Sequence, residues 1–295
     1  MTLHLLVIGR TGQVATELQS LAGPDLQVTA LGREDADLAA PENCASVIEA
    51  AGADVIINAA AYTDVDGAEA DEALATRINA EAPGVMARAA SARGLPFLHI
   101  STDYVFDGSK PGPWVEGDSP APLGAYGRSK LAGEQAVADA GGEYLILRTA
   151  WVFSSHGRNF VRTMLRVGAE SESLNVVDDQ HGGPTAAADI AKALVTAARA
   201  FQQGRGRSGI FHYAGAPAVS WCGFAREIFA RADWMRTPKI QPIRTEDWPT
   251  PAARPRNSVL DCSRIEETFG IPQPDWRVSL DHVMVELRPA EPQAE

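Results

Sequence analysis

Cysteine is scarce in this chain: Cys44, Cys222 and Cys262 are three among 295 residues, scattered and odd in number. They carry no metal-ligand spacing and indicate a reducing compartment. Cys44 and Cys222 sit in helix-like apolar surroundings, where a thiol packs rather than reacts. Positive charge is also short, with 26 Lys and Arg against 38 Asp and Glu for a formal net of -12. That balance disfavours nucleic acid or an anionic membrane as the main partner, though a local basic cluster still suits a phosphorylated small molecule. Long hydrophobic runs are missing. The apolar start Leu3-His4-Leu5-Leu6-Val7-Ile8 is broken at once by Gly9, too soon for a signal peptide or a membrane span, so a soluble, cytoplasmic protein is expected. There is no internal repeat or low-complexity segment, and only Arg288 to Glu295, rich in Pro, Glu and Ala, reads as a poorly ordered tail. A chain of 295 residues suits one extended domain or a domain with a smaller lobe.

What is present alternates strand and helix. Leu3 to Ile8 reads as a buried strand of a parallel sheet, being short, apolar and stopped by glycine. The turn Gly9-Arg10-Thr11-Gly12-Gln13-Val14-Ala15 then leads to a helix expected from Thr16 to Leu21. Gly9 suits a tight turn, Gly12 a close approach to a pyrophosphate at the helix start, and Ala15 close packing of helix on strand. The same residues also fit an ordinary strand-to-helix turn, since the spacing is Gly-x-x-Gly-x-x-Ala and not the strict dinucleotide fingerprint. A second strand, Gln27 to Leu31, runs into Gly32 and Arg33, where an acidic residue would receive the ribose hydroxyls of NAD. Arg33 suits a 2′-phosphate and tilts the choice toward NADPH over NADH, unless it is a solvated surface arginine. Asp37 and Leu38 fall where an adenine contact is expected.

A third strand, Asp54 to Asn58, ends at Ala59, Ala60 and Ala61, which leave room for a flat ring or a ribose, or simply pack tightly. A helical period runs from Leu74 to Arg93, and a fourth strand from Phe97 brings the hydroxyls of Ser101 and Thr102 to its carboxyl end, where open parallel sheets bind ligands. The Pro- and Gly-rich loop from Asp107 to Gly124 is expected to run over the surface and cover the site. Tyr126 and Lys130, four apart at the start of the next helix, share one face. An ammonium beside a phenol favours the phenolate, so the tyrosine pKa should fall toward the range of a general acid or base. A fifth strand spans Tyr144 to Thr149, and these units imply a doubly wound parallel sheet with helices on both faces. Residues 1–150 are read as a dinucleotide-binding domain that also receives later elements, about 174–213. Residues 151–295 form a smaller, discontinuous, mainly substrate-binding lobe of mixed α/β structure.

Several strings together resemble one family. They are Asn58-Ala59-Ala60-Ala61-Tyr62-Thr63-x-Val65-Asp66-x-Ala68-Glu69, Ser101-Thr102-Asp103-Tyr104-Val105-Phe106-Asp107-Gly108, Tyr126-Gly127-x-Ser129-Lys130-x-x-Gly133-Glu134, Arg148-Thr149-x-Trp151-Val152, Asp179-Gln180-x-Gly182-x-Pro184-Thr185 and Arg254-Pro255-x-Asn257-Ser258-x-Leu260-Asp261. With the Gly-x-x-Gly-Gln turn they are similar to the dTDP-4-dehydrorhamnose reductase family of extended short-chain dehydrogenase/reductases, over almost the whole chain. The resemblance implies a Rossmann-type fold, NADPH as hydride donor and reduction of the C4 ketone of dTDP-4-dehydro-L-rhamnose to dTDP-L-rhamnose. It implies Tyr126 as proton donor, Lys130 as the holder of the nicotinamide ribose and Thr102 as partner of the carbonyl oxygen, a task for which Ser101 is the rival on chemistry alone. Gly9, Arg10, Thr11, Gly12, Gln13, Val14, Arg33, Asp37, Leu38, Ala59 to Ala61, Tyr126 and Lys130 are the implied cofactor residues.

Thr63, Val65, Tyr104 and Trp151 resemble the family's sugar-pocket residues, or pack at a loop base. Asn79 resembles an asparagine supporting a water path to the lysine, or faces solvent. Arg254 suits the substrate diphosphate, or a salt bridge fixing the last lobe. One departure concerns metal: some members hold a divalent cation at a dimer contact through carboxylates. Here Glu17 fits the first place but Ala186-Ala187-Ala188 stands at the second, with Asp189 nearby, so no bound metal is expected and monomer and homodimer stay open. Two other classes share the fold: a non-catalytic regulatory subunit, and a nucleotide-sugar epimerase or dehydratase with tightly bound NAD.

Overall fold

Alternate residues of the first strand, β1 (Leu3–Ile8), enter two different cores. Leu3, Leu5 and Val7 join Val55, Ile57, Leu98, Leu145 and Leu147 on one face, under the helices α1 (Gln13–Ser20) and Ala187–Gln202. Leu6 and Ile8 join Ile56, Phe97 and Ile146 on the other, under α2 (Pro41–Ala50), Ala82–Ala92 and Ala125–Ala138. A strand covered on both sides has no polar face to offer, which is why these segments read as continuous apolar runs. The computed structural model describes residues 1–289. The expectation for the tail falls, from residue 290 onward, outside the described residues.

The main sheet has six parallel strands, in the order Gly209–His212, β5 (Tyr144–Thr149), β4 (Phe97–Thr102), β3 (Val55–Asn58), β1 and β2 (Leu26–Leu31). The chain leaves β1 for one edge and later returns past it to β3, so strand order reverses beside the carboxyl end of β1, where such sheets bind ligands. From the span 174–213, the helix Ala187–Gln202 packs on this sheet and Gly209–His212 extends it. The strand Ser173–Val177 instead pairs in parallel with Lys239–Ile243, outside the sheet.

Two further expectations are corrected. The Leu74 to Arg93 stretch is not one α-helix: Glu72–Thr76 passes through a π-helical turn, Arg77–Glu81, into Ala82–Ala92. Pro83 lacks the N–H that an α-helix would direct at the Asn79 carbonyl, so the ladder is interrupted there. The loop 107–124 does not cover the cleft, since none of its residues lines it. It is bound to the segment 257–261 instead. The Trp114 N–H donates to Val259 O at 2.8 Å, Asp261 N–H donates to Trp114 O at 2.8 Å, and Asn257 Nδ2 donates to Lys110 O and Gly112 O at 2.7 and 2.9 Å. The string around Asn257 is thus a strap, which a motif alone does not distinguish from a site.

The Ala125–Ala138 helix lies against the π-helical turn through Gly133, where an added Cβ would sit 2.0 Å from Asn79 O. Gly133→Ala should therefore destabilise the protein by roughly 1–3 kcal/mol through overpacking. Gly112→Ala, with nothing within 4 Å, should stay within about 0.5 kcal/mol of the parent. Urea unfolding of both variants checks this.

Candidate active site

A cleft of about 1050 Å³ runs along the carboxyl ends of β1, β3, β4 and β5. At its start Gly9 has φ +112, open to glycine and strained for other residues, and a Cβ there would lie 3.3 Å from the Ala59 carbonyl carbon. Helix α1 begins at Gln13, three residues earlier than expected, so Gln13 and Val14 belong to its first turn. Its N-cap Gly12 offers no side-chain cap, which leaves the first N–H groups turned outward for an anion. Arg10, Thr11, Ala59, Ala60 and Ala61 line the same end, as do Arg33, Asp37 and Leu38.

The cations here are engaged. Arg10 pairs with Glu34 at 2.5 Å and with Asp35, and the exposed Arg33 pairs with Asp37 at 3.3 Å. Backbone N–H donation from Ala39, and then Arg33, hold the Asp37 carboxyl below the usual carboxylate range. Among the four cations lining the cleft, which also include Lys130, Arg158 alone makes no hydrogen bond or ion pair with the described residues. Sequence reasoning missed it, because a lone arginine in a loop carries no signal. Its loop is nevertheless fixed against the glycine turn: Ser154 Oγ and Asn159 Nδ2 both donate to Gln13 Oε1, at 2.8 and 2.9 Å.

At the β4 end, the two adjacent hydroxyls are told apart by their partners. Ser101 Oγ donates to Glu134 Oε1 at 2.6 Å, in a buried network where Arg148 Nε and Nη2 grip both Glu134 oxygens at 2.8 and 2.6 Å. Ser101 is therefore occupied. Thr102 Oγ1 donates to Asp103 Oδ1 at 2.9 Å and accepts from the Tyr104 N–H at 3.2 Å, and it lies near enough to Tyr126 to pull the phenol pKa down. Tyr104 meets Tyr126 edge to face, with centroids 5.9 Å apart.

The expected depression of the Tyr126 pKa is absent. Burial pushes the phenol up to about 12, against the opposing pull of Thr102. The reason lies in Lys130, whose Nζ turns to β4, donating to Ile100 O at 2.7 Å and standing 3.2 Å from His99 Nε2. Burial brings the Lys130 pKa down to about 8. Sharing a helix face did not bring ammonium and phenol together.

Thr63, Val65, Tyr104 and Trp151 line the cleft with Thr102, Tyr126 and Lys130. Trp151, held at φ +49, stacks on Trp221 at 3.5 Å, and Gly182 leaves the space its indole occupies. Trp221 and Phe160 also line the cleft and were missed, because their aromatic rings read equally well as core. Arg254 does not line it. Its guanidinium donates to Asp66 Oδ2 at 2.8 Å and to Ala252 O at 3.0 Å, which is the salt-bridge alternative. Asn79 neither faces solvent nor has a free amide proton: it is buried, with Nδ2 donating to Ser129 Oγ and Tyr62 O at 2.9 and 3.0 Å. Glu17 faces His156 at 3.1 Å, Asp189 accepts from Ser279 Oγ at 2.5 Å, and no metal-holding group of His, Cys, Asp and Glu occurs among the described residues.

A family model described as the RmlD substrate binding domain matches residues 3–288. The chain is 47% identical over 290 residues to a dTDP-4-dehydrorhamnose reductase of Burkholderia thailandensis, covering 94% of this chain and 97% of that one. A relative of the same description from Sinorhizobium fredii is 45% identical over 281 residues, covering 94% and 95%. Among solved structures, the dTDP-4-dehydrorhamnose reductase of Bacillus anthracis in complex with NADP aligns with a TM-score of 0.90 at 34% identity, over 97% of this chain and 100% of that one.

Asp103 gives a pH test of the site. Burial raises its carboxyl pKa to about 7 from 3.8, with Thr102 and Ser258 opposing, and Oδ2 has no partner of hydrogen-bonding geometry. Since the folded pKa lies above the unfolded one, the native state binds the extra proton, and this group's contribution to stability falls as pH rises from about 4 to 7. Asp103→Asn, which keeps an acceptor for Thr102, should unfold at higher urea than the parent at pH 8, with the gap closing toward pH 4.

Proposed function

This chain belongs to the RmlD substrate binding domain family, and from that premise we propose that it reduces the C4 ketone of dTDP-4-dehydro-L-rhamnose to dTDP-L-rhamnose with NADPH. What carries the reading is that the Thr102 and Tyr126 side chains line the same cleft that begins at Gly9. The cleft suits a dinucleotide: the uncapped start of α1 for its diphosphate, the small side chains Ala59 to Ala61 for a ring or ribose, and Arg10 and Arg33 at the far end for a 2′-phosphate. The bound reduced nicotinamide supplies the hydride.

Thr102, on exchanging its Asp103 contact, donates to the ketone oxygen as negative charge develops there, which is where a placed donor lowers the barrier. Tyr126 delivers the proton. A phenol held at about 12 is fully protonated at neutral pH, and a secondary alkoxide is basic enough to take its proton, so this step needs no depressed tyrosine pKa. Lys130 holds the nicotinamide ribose. Trp151, backed by Trp221, offers a flat apolar wall to the sugar, with Thr63, Val65 and Tyr104 around it. For the thymidine diphosphate, Arg254 serves only on exchanging its Asp66 contact. The division into a dinucleotide half, residues 1–150, and a mainly substrate-binding remainder belongs to this proposal, as does a cytoplasmic location. No helix among the described residues is long and apolar enough to cross a membrane.

Oxidation of NADPH in the presence of the dTDP-4-keto sugar, run in parallel with NADH, tests the activity; a chain that consumes neither is not this reductase. Tyr126→Phe should lower kcat by about 10²–10⁴-fold, the usual worth of a positioned general acid, while the NADPH Kd stays within about twofold. Arg158→Ala should weaken NADPH about fivefold, equivalent to ~1 kcal/mol for an exposed charge, with Arg158→Lys retaining part of the affinity. Fluorescence titration with NADPH reads both.

A further inference from the structure

Behind Lys130 lies a buried polar chain that the proposed reaction leaves without a role. It runs from Asn58 at the end of β3, through His99 on β4, to Lys130 on the Ala125–Ala138 helix, and all three side chains are 2% exposed or less. Asn58 Nδ2 stands 3.1 Å from His99 Nδ1, and His99 Nε2 stands 3.2 Å from Lys130 Nζ. We propose that His99 is a positioning residue that fixes both where the Lys130 amine points and which protonation state it holds in the free protein. This rests on the reading of Lys130 given above.

The direction of the chain follows from its far end. Ala60 N–H donates to Asn58 Oδ1 at 3.2 Å, so the amide oxygen is taken and the amide nitrogen faces the imidazole. An amide NH₂ only donates. His99 Nδ1 must then present its lone pair, and a neutral ring carries its proton on Nε2, aimed at Lys130. The ring is neutral, because burial holds the His99 pKa well below its ordinary value.

Facing an N–H, Lys130 Nζ makes a hydrogen bond only as an amine, accepting from His99 through its lone pair while one of its own N–H groups donates to Ile100 O. An ammonium would set two donors against each other at 3.2 Å. The other charge acting on Lys130 is Glu134, one turn along its own helix, which favours the ammonium. Glu134 is itself bonded to Arg148 and Ser101. The Phe97 ring, which cannot titrate, stacks on the imidazole at 6.3 Å.

Protonation of Lys130 therefore consumes the lone pair that His99 holds, opening that contact and freeing the ammonium to turn toward the cleft. His99 thus links lysine protonation to lysine orientation.

The test uses the full chain labelled with ¹⁵N-histidine and ¹³Cε-lysine. Only six histidines and four lysines contribute signals. The parent should show His99 protonated at Nε2 and bare at Nδ1. In His99→Gln an amide oxygen accepts from the ammonium, and the Lys130 midpoint should rise by about one pH unit, a tenfold change in its protonation equilibrium. His99→Asn keeps the link to Asn58 but cannot reach Nζ, and should also raise the midpoint; it serves if the glutamine variant does not fold. A merely structural histidine would lower Tm in the variants and leave the midpoint in place. An Nδ1–H tautomer in the parent, or an unchanged Lys130 midpoint in a folded variant, overturns the proposal. Neither reading needs turnover, so NADPH oxidation by the parent reports separately on the reductase assignment.

Discussion

The placement of the Ala125–Ala138 helix rests on a buried ion pair, the two-pronged contact of Glu134 with Arg148. It joins the helix bearing Tyr126 and Lys130 to β5, and through Ser101 to the end of β4. Around it His212, held neutral by burial and by the adjacent Arg148 with its pKa down to about 3, stands 3.4 Å from the guanidinium, and the Phe106 ring covers that cation at 5.0 Å. Removing one partner of such a pair costs about 3–5 kcal/mol, because the other is left charged and unpaired. The pair also has a consequence for the site: it takes the Ser101 hydroxyl into the helix–sheet joint, while the Thr102 hydroxyl bonds only locally, to Asp103 and the Tyr104 N–H.

The same accounting of partners separates the remaining polar groups. Arg10, Arg33 and Arg254 each meet a carboxylate, while Arg158 meets none, although its loop is bonded to Gln13 beside the glycine turn. Of the arginines that line the cleft, Arg158 is thus the one with no carboxylate partner among the described residues. The uncapped start of α1 and this exposed arginine are places where a chain of net charge -12 still offers unpaired donors to an anion.

The reading of Tyr126 and Lys130 shows where helical spacing stops being informative. Residues four apart share a face, and both do line the cleft. Yet Lys130 has a strand carbonyl and an imidazole within reach on β4, and burial rewards those contacts over an open one with a phenol. The tyrosine, left with Thr102 and a desolvating wall, is raised instead of lowered. Asn79 follows the same logic: its helix position was visible, but its role as a brace between Tyr62 and Ser129 arises from a π-helical turn that brings it against another helix.

Local patterns alone determined the five leading strands, the turn at Gly9, the small residues at Ala59 to Ala61 and the family, because both-side burial and a turn requiring positive φ each impose a residue type at a given place. Tertiary structure decided which partner each strand-end hydroxyl takes, which arginine is unpaired, that Trp221 backs Trp151, and that the 107–124 loop is strapped to 257–261 and leaves the cleft open. The physical reason is one of range. Propensity and periodicity act over a few residues, whereas a buried hydrogen bond or ion pair goes to whichever partner the fold brings within about 3 Å, and here those partners lie up to 200 residues away along the chain.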